Sequence, residues 1–106
     1  MKKMIKVVLV ISAFALVFST SSLAQSGGDT FKAKCAMCHG ADGKGATAMG
    51  KTLGLKDLGS AEVQSQSDAD LTNIITNGKG KMPKYDGKLT KDQISDVVKF
   101  IRTLKH

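Results

Sequence analysis

The stretch CAMCHG, residues 35–40, holds the only two cysteines of the 106-residue chain, with a histidine directly behind the second. On a helix, Cys35, Cys38 and His39 stand at i, i+3 and i+4 and project from one side, with Phe31 one turn earlier on the same stripe. Such a group can close a disulfide, hold part of a metal site, work as a redox dithiol, remain a structural pair of thiols, or anchor something covalently. A disulfide here would close a tiny loop and restrain the unfolded chain little. Zinc takes four ligands of this kind, and beyond these three the chain offers only one more histidine, His106. A redox dithiol belongs in a βαβ setting, and the sequence has no such pattern. Covalent haem attachment accounts for the spacing best. Two thiols add to the two vinyl groups of a porphyrin as thioethers, and the imidazole behind them becomes an axial ligand of the iron.

The second axial position calls for a soft neutral donor, or another imidazole, from far along the chain. Met37 lies inside the attachment motif and cannot reach the opposite face. Met49 follows His39 too closely to cross the ring edge and is assigned to packing. His106 trails the final helix. Met82 sits in NGKGKMPKYDG directly after a helical segment, where Pro83 fixes the backbone beside it and the glycines let the loop fold close over a flat group. Met82 is therefore the expected partner of His39.

These residues need elements to position them. Residues 25–28, QSGG, read as a flexible lead-in, with Gly28 or Asp29 capping a helix over about Thr30 to Met37. The next stretch has six glycines between Gly40 and Gly59. It lacks the β-branched alternation of a strand and reads as a loop wrapped around something, with a short helical turn around Ser60–Gln66. Ser67 with Asp70 resembles a capping box opening a helix whose stripe is Leu71, Ile74 and Ile75, and Gly78 stands where a helix C′ glycine belongs. Thr90 and Gln93 repeat the capping pattern. After them Ile94, Val97, Val98, Ile101 and Leu104 form the clearest amphipathic stripe in the chain, with Lys99, Arg102 and Lys105 toward its C-terminal end. The sum is an all-α protein of three to five helices wrapped around one covalently attached haem.

The chain carries 16 Lys+Arg against 9 Asp+Glu, a net charge of +7, but the excess is partly transient. Residues 1–24 open with Lys2, Lys3 and Lys6, continue with an apolar run from Val7 to Phe18, and end in Ser22-Leu23-Ala24. That is the plan of a secretory signal peptide. The run is short of the roughly 20 apolar residues of a spanning helix. Removing 1–24 takes three lysines and no acid, leaving +4 of the +7 on residues 25–106. Phe14 and Phe18 leave too, so few aromatics remain for base stacking and nucleic acid is excluded as a partner. Export to the periplasm, no stable membrane insertion after cleavage, and a monomer are the expectations. So small an exported domain gains stability from a cofactor that fills its core.

With those residues placed, the chain resembles the class I c-type cytochromes in their short monohaem bacterial form. The resemblance rests on CAMCHGADGKG early and NGKGKMPKY late and spans essentially all of residues 29–106. It implies a small cytochrome c-like fold, one haem c attached through Cys35 and Cys38 with its iron held by His39 and Met82, and a packing contact between Phe31 and Phe100 of the first and last helices. It also implies an electron carrier rather than an enzyme, since His/Met ligation closes the iron on both sides. A dedicated haem module docking onto one dehydrogenase or oxidase, or a peroxidase-like or gas-binding protein, are the other readings. Family members usually have a proline after the motif whose carbonyl orients the proximal histidine. GATAMGKTL has none, so another carbonyl is expected to accept the His39 Nδ1 proton. Lys79, Lys81, Lys84 and Lys88 crowd the Met82 loop, with Lys44 and Lys51 in the other long loop. They are read either as a basic ring facing redox partner proteins with an acidic docking face, or as residues that serve solubility. Tyr85 is read either as packing near the propionates or the Met82 loop, or as a surface turn residue.

Overall fold

The computed structural model describes residues 23–106. The expected signal peptide lies outside the described residues apart from Leu23 and Ala24. The described residues are helical, with no strand among them and two isolated bridges, Lys79–Met82 and Asp86–Leu89. The first helical segment, α1, covers residues 23–34. It is followed by α2 (Ala36–His39), α3 (Ala48–Leu53), α4 (Ala61–Gln64), α5 (Asp68–Asn77) and α6 (Lys91–Thr103). Six segments stand where three to five helices were expected, because α1 and α2 are parted only by a turn at Cys35 and α4 is a single turn.

Where local chemistry is strong, the elements form where the sequence places them. Thr90 and Gln93 make a complete capping box at the start of α6, each side chain bonding the other residue's backbone N–H. Ser67 caps α5 by accepting from the Asp70 N–H at 3.0 Å, and Gly78 closes it at φ 76°, its N–H donating to the Ile74 carbonyl. Such caps satisfy backbone groups that a helix end leaves bare. The α6 stripe is buried as expected: Ile94, Val97, Val98 and Ile101 meet Leu71 and Ile75 of α5, Phe31 and Cys35, Val63 and Leu89 in one core. The rings of Phe31 and Phe100 lie 5.1 Å apart and tilted by 42°, the expected contact between first and last helices. Arg102 reaches sideways from α6, donating to the carbonyls of Gln64 and Gln66 and to Asp68 Oδ1, so it ties α6 to the α4–α5 corner.

Two local readings are corrected. Residues 25–28 are not a flexible lead-in but part of α1, which begins upstream of Thr30. Gly27 and Gly28 are buried against α6. A Cβ on Gly27 would lie 1.9 Å from the Asp96 carbonyl oxygen, and one on Gly28 would lie 3.1 Å from the Phe100 ring. The pair is a notch that lets two helix backbones approach, a role that looks like a linker when only composition is read. The glycine-rich stretch after the motif is likewise not all loop. It contains α3, capped by Thr47 accepting from the Gly50 N–H and ended by Gly54 at φ 66°.

Candidate functional site

The helical ladder slips at Cys35, whose backbone sits at φ −116°, ψ −27°. The Cys35 N–H still donates back to Phe31, but the Cys38 N–H donates to the Cys35 carbonyl at 3.3 Å, one residue short of its helical partner Lys34. The Lys34 carbonyl is taken instead by the Tyr85 hydroxyl at 2.9 Å. Cys35 is buried in the core, Cys38 and His39 are half-buried, and Met37 between them is 82% exposed. Both cysteines are free. Burial, reinforced by the Cys38 thiol, pushes the Cys35 thiol up to about 11. Among the described residues, no group of three or more His, Cys, Asp or Glu side chains is arranged to share a metal ion, so the four-ligand zinc reading has no support.

His39 packs its ring 6.3 Å from that of Phe31. Burial lowers its pKa, which favours the neutral imidazole that a metal needs. Its Nδ1 is buried and has no hydrogen-bond partner among the described residues, so the carbonyl expected in place of the missing proline is not supplied. The loop behind the motif spends its polar groups on the backbone instead. The Gly45 N–H donates to the His39 carbonyl at 2.8 Å, and the Thr47 hydroxyl donates to the Cys38 carbonyl at 2.6 Å. Gly50 is forced by this closeness: a Cβ there would lie 2.4 Å from the Gly45 carbonyl oxygen and 2.7 Å from that of Cys38.

Met82 is half-buried and packs against the core. Its backbone exchanges two hydrogen bonds with Lys79, at 3.0 and 3.2 Å, which makes a tight loop between them. Gly78 permits the turn, since a Cβ there would meet the Met82 carbonyl oxygen at 2.6 Å. The far end of the loop is sewn to α5 by Tyr85 N–H to the Ile75 carbonyl and Asp86 N–H to the Thr76 carbonyl. The competing donors are placed elsewhere. Met49 is 47% exposed on α3. His106 is pinned to the 57–59 turn, its Nε2 2.7 Å from Asp57 Oδ2 and its N–H on the Gly59 carbonyl. The hydrogen bond from His106 is the main reason the Asp57 carboxyl is held below its ordinary range.

The chemistry of this donor set fits a covalently held haem: two free thiols one helical turn apart, an imidazole next to them that burial favours in its neutral form, and a thioether on a separate loop over the same core. Comparison with known proteins decides the family. The model for "Cytochrome C oxidase, cbb3-type, subunit III" matches residues 22–101. Cytochrome c6 of Nostoc sp. is 38% identical over 105 residues, which cover 95% of this chain and 92% of that protein. The chain belongs to the class I c-type cytochromes. Cytochrome c6 of Leptolyngbya boryana is 40% identical over 78 residues, covering 74% of this chain and 88% of that one. The solved KustC0563 c-type cytochrome superposes with a TM-score of 0.71 at 30% identity, covering 76% of this chain and 98% of its own. A longer relative is the cytochrome c subunit of alcohol dehydrogenase (quinone) of Gluconacetobacter polyoxogenes. It is 32% identical over 83% of this chain, and the match spans 20% of that protein. The cytochrome is thus a small monohaem electron carrier rather than an enzyme, and its cofactor is haem c with iron.

Tyr85 is the site residue that sequence reasoning left open. Its ring packs on the core, its hydroxyl reaches Lys34, and its phenol pKa is raised by burial and then by the nearby Cys35 and Cys38. Lys79, Lys81, Lys84, Lys88, Lys44 and Lys51 are all exposed. The ion pairs among the described residues involve Lys56, Arg102 and His106, and none of these six.

Proposed function

We propose that this cytochrome is an exported, soluble, monomeric electron shuttle of the periplasm. Residues 1–24 are its signal peptide and 25–106 its haem domain, with no stable membrane insertion after cleavage. Among the described residues no helix is long and apolar enough to cross a membrane. Cys35 and Cys38 would hold the haem as thioethers, and His39 and Met82 would ligate its iron. One observation carries the assignment: the loop bearing Met82 is bonded through Tyr85 to the residue directly before Cys35, so a sulfur and an imidazole from distant parts of the chain share one core. The haem supplies one-electron Fe(III)/Fe(II) chemistry. The protein's part is to hold it. The thioethers would prevent loss of the group, the half-buried neutral imidazole of His39 would donate without a proton to shed, and Met82 would favour the ferrous state and raise the potential.

The test is a haem stain after denaturation. Wild type keeps its colour on a denaturing gel, and the Cys35→Ser/Cys38→Ser double variant loses it. A colourless wild-type band, with both thiols open to alkylation, would overturn the reading.

The six exposed lysines, unpaired with carboxylates among the described residues, support an acidic docking face on the partner. Stopped-flow electron transfer to such a partner should slow by about tenfold as ionic strength rises from about 0.01 M to about 0.15 M. A rate indifferent to salt removes the docking role. The likeness to a dehydrogenase's cytochrome c subunit favours a second reading, a dedicated module on one enzyme, which would co-purify as a tight complex.

A further inference from the structure

We infer that Tyr85 is a positioning residue for the axial methionine, holding the Met82 loop against the attachment segment through its hydrogen bond to the Lys34 carbonyl. The inference rests on the reading of Met82 as an iron ligand. The Met82 loop has two kinds of anchor. At its root, Gly78, Tyr85 and Asp86 bond the end of α5 through their backbones, so these bonds tie the loop to its own neighbour in sequence. The Tyr85 hydroxyl bond, to a residue 51 positions away, ties it to the other side of the site.

Its acceptor is specific. The Lys34 carbonyl is available because the turn at Cys35 diverts the Cys38 N–H from its helical partner to the Cys35 carbonyl. The backbone feature that presents the attachment motif therefore also creates the acceptor that Tyr85 uses. A carbonyl left over at a helix break seeks a donor. The phenol supplies one from a ring that is already held, half-buried against the core, with the Lys88 ammonium 5.8 Å from its centroid. Pro83 and Lys84 are all that separate the Met82 backbone from this strut. Loss of the hydroxyl leaves the loop held by its backbone bonds to α5 and by the packing of Met82 and Tyr85 on the core, without its hydrogen bond to the attachment side of the site.

The experiment uses the ferric holoprotein and imidazole as the probe, with binding followed in the visible spectrum. Imidazole has to displace the native sixth ligand, so its apparent affinity reports how firmly that ligand is held. Tyr85→Phe keeps the ring and deletes the hydroxyl. It should bind imidazole about threefold more tightly than wild type, the equilibrium worth of one hydrogen bond at the solvent edge, with the thermal midpoint lowered by no more than about 5 °C. Tyr85→Ala also loses the ring contact and should gain about tenfold or more. A Tyr85→Phe protein with wild-type imidazole affinity overturns the inference. So does a fall in thermal midpoint of about 10 °C or more in Tyr85→Phe, which would make the effect general stability. Met82→Ala separates the layers. If it raises imidazole affinity strongly while Tyr85→Phe does not, only the strut fails. If Met82→Ala leaves the affinity unchanged, the ligand assignment fails and the strut with it.

Discussion

Met82→Ala should convert a closed iron into an open one. The ferrous variant binds carbon monoxide readily, the ferric variant gains at least about a hundredfold in imidazole affinity, and the midpoint potential falls because the thioether no longer favours ferrous iron. Met49→Ala, on the exposed face of α3, should leave all three quantities at their wild-type values. The contrast follows from placement. Met82 is half-buried against the core on a loop bonded at three points, whereas Met49 is 47% exposed on the short helix that backs the attachment motif. The difference in size follows from chemistry, because losing an axial ligand vacates a coordination position while losing a surface side chain does not. Carbon monoxide binding to Met49→Ala but not to Met82→Ala would exchange the two roles and sink the assignment.

The second large effect is on the fold. Phe31→Ala should cost about 4 kcal/mol, the usual range for emptying a buried phenylalanine site, and lower the thermal midpoint by about 20 °C in a domain of this size. Phe31 is 1% exposed, and its ring meets both Phe100 and His39. The cavity would lie where α1 crosses α6, beside the imidazole. Domains of this kind have only about 5–15 kcal/mol in total, so the variant should be marginal at 37 °C. Phe100→Ala should cost about half as much, since that ring is only partly buried. Thermal unfolding followed by circular dichroism checks both. Equal losses at the two positions would mean that the ring contact, and not burial, sets the cost.

The salt dependence and the Tyr85 series probe weaker interactions, and their smaller expected effects reflect solvent exposure. The lysines are exposed, so screening controls them. The Tyr85 hydroxyl bond competes with water at the site's edge.

Much of the site was legible before any coordinates. Cys35, Cys38 and His39 are adjacent, so their relation depends on local geometry alone. Thr90 with Gln93, Ser67 and Gly78 are local devices too, and each does in the structure what its type and position imply. The α6 stripe was legible because a single helix face repeats with a fixed period. Phe31 and Phe100 came from the resemblance and not from the pattern, since two phenylalanines so far apart carry no mutual signal.

What the sequence hid depends on contacts between distant segments. Gly27 and Gly28 read as a flexible lead-in because glycine in isolation is permissive. Only the α6 backbone, lying 1.9 Å from where a Gly27 Cβ would be, turns them into a helix-crossing notch. The spacing of Gly27, Phe31 and Cys35, one turn apart each, was the faint signal that α1 continues upstream. Tyr85 could be read two ways because its partner is a backbone carbonyl, which has no residue type to recognise. The tertiary structure decided the question by breaking the helical ladder at Cys35 and leaving the Lys34 carbonyl for the phenol. Residue types and short spacings determine which chemistry this chain can perform, because bonding capacity is a local property. Which distant groups meet around that chemistry is decided only when the helices pack, because their contact is settled by shape across the whole core.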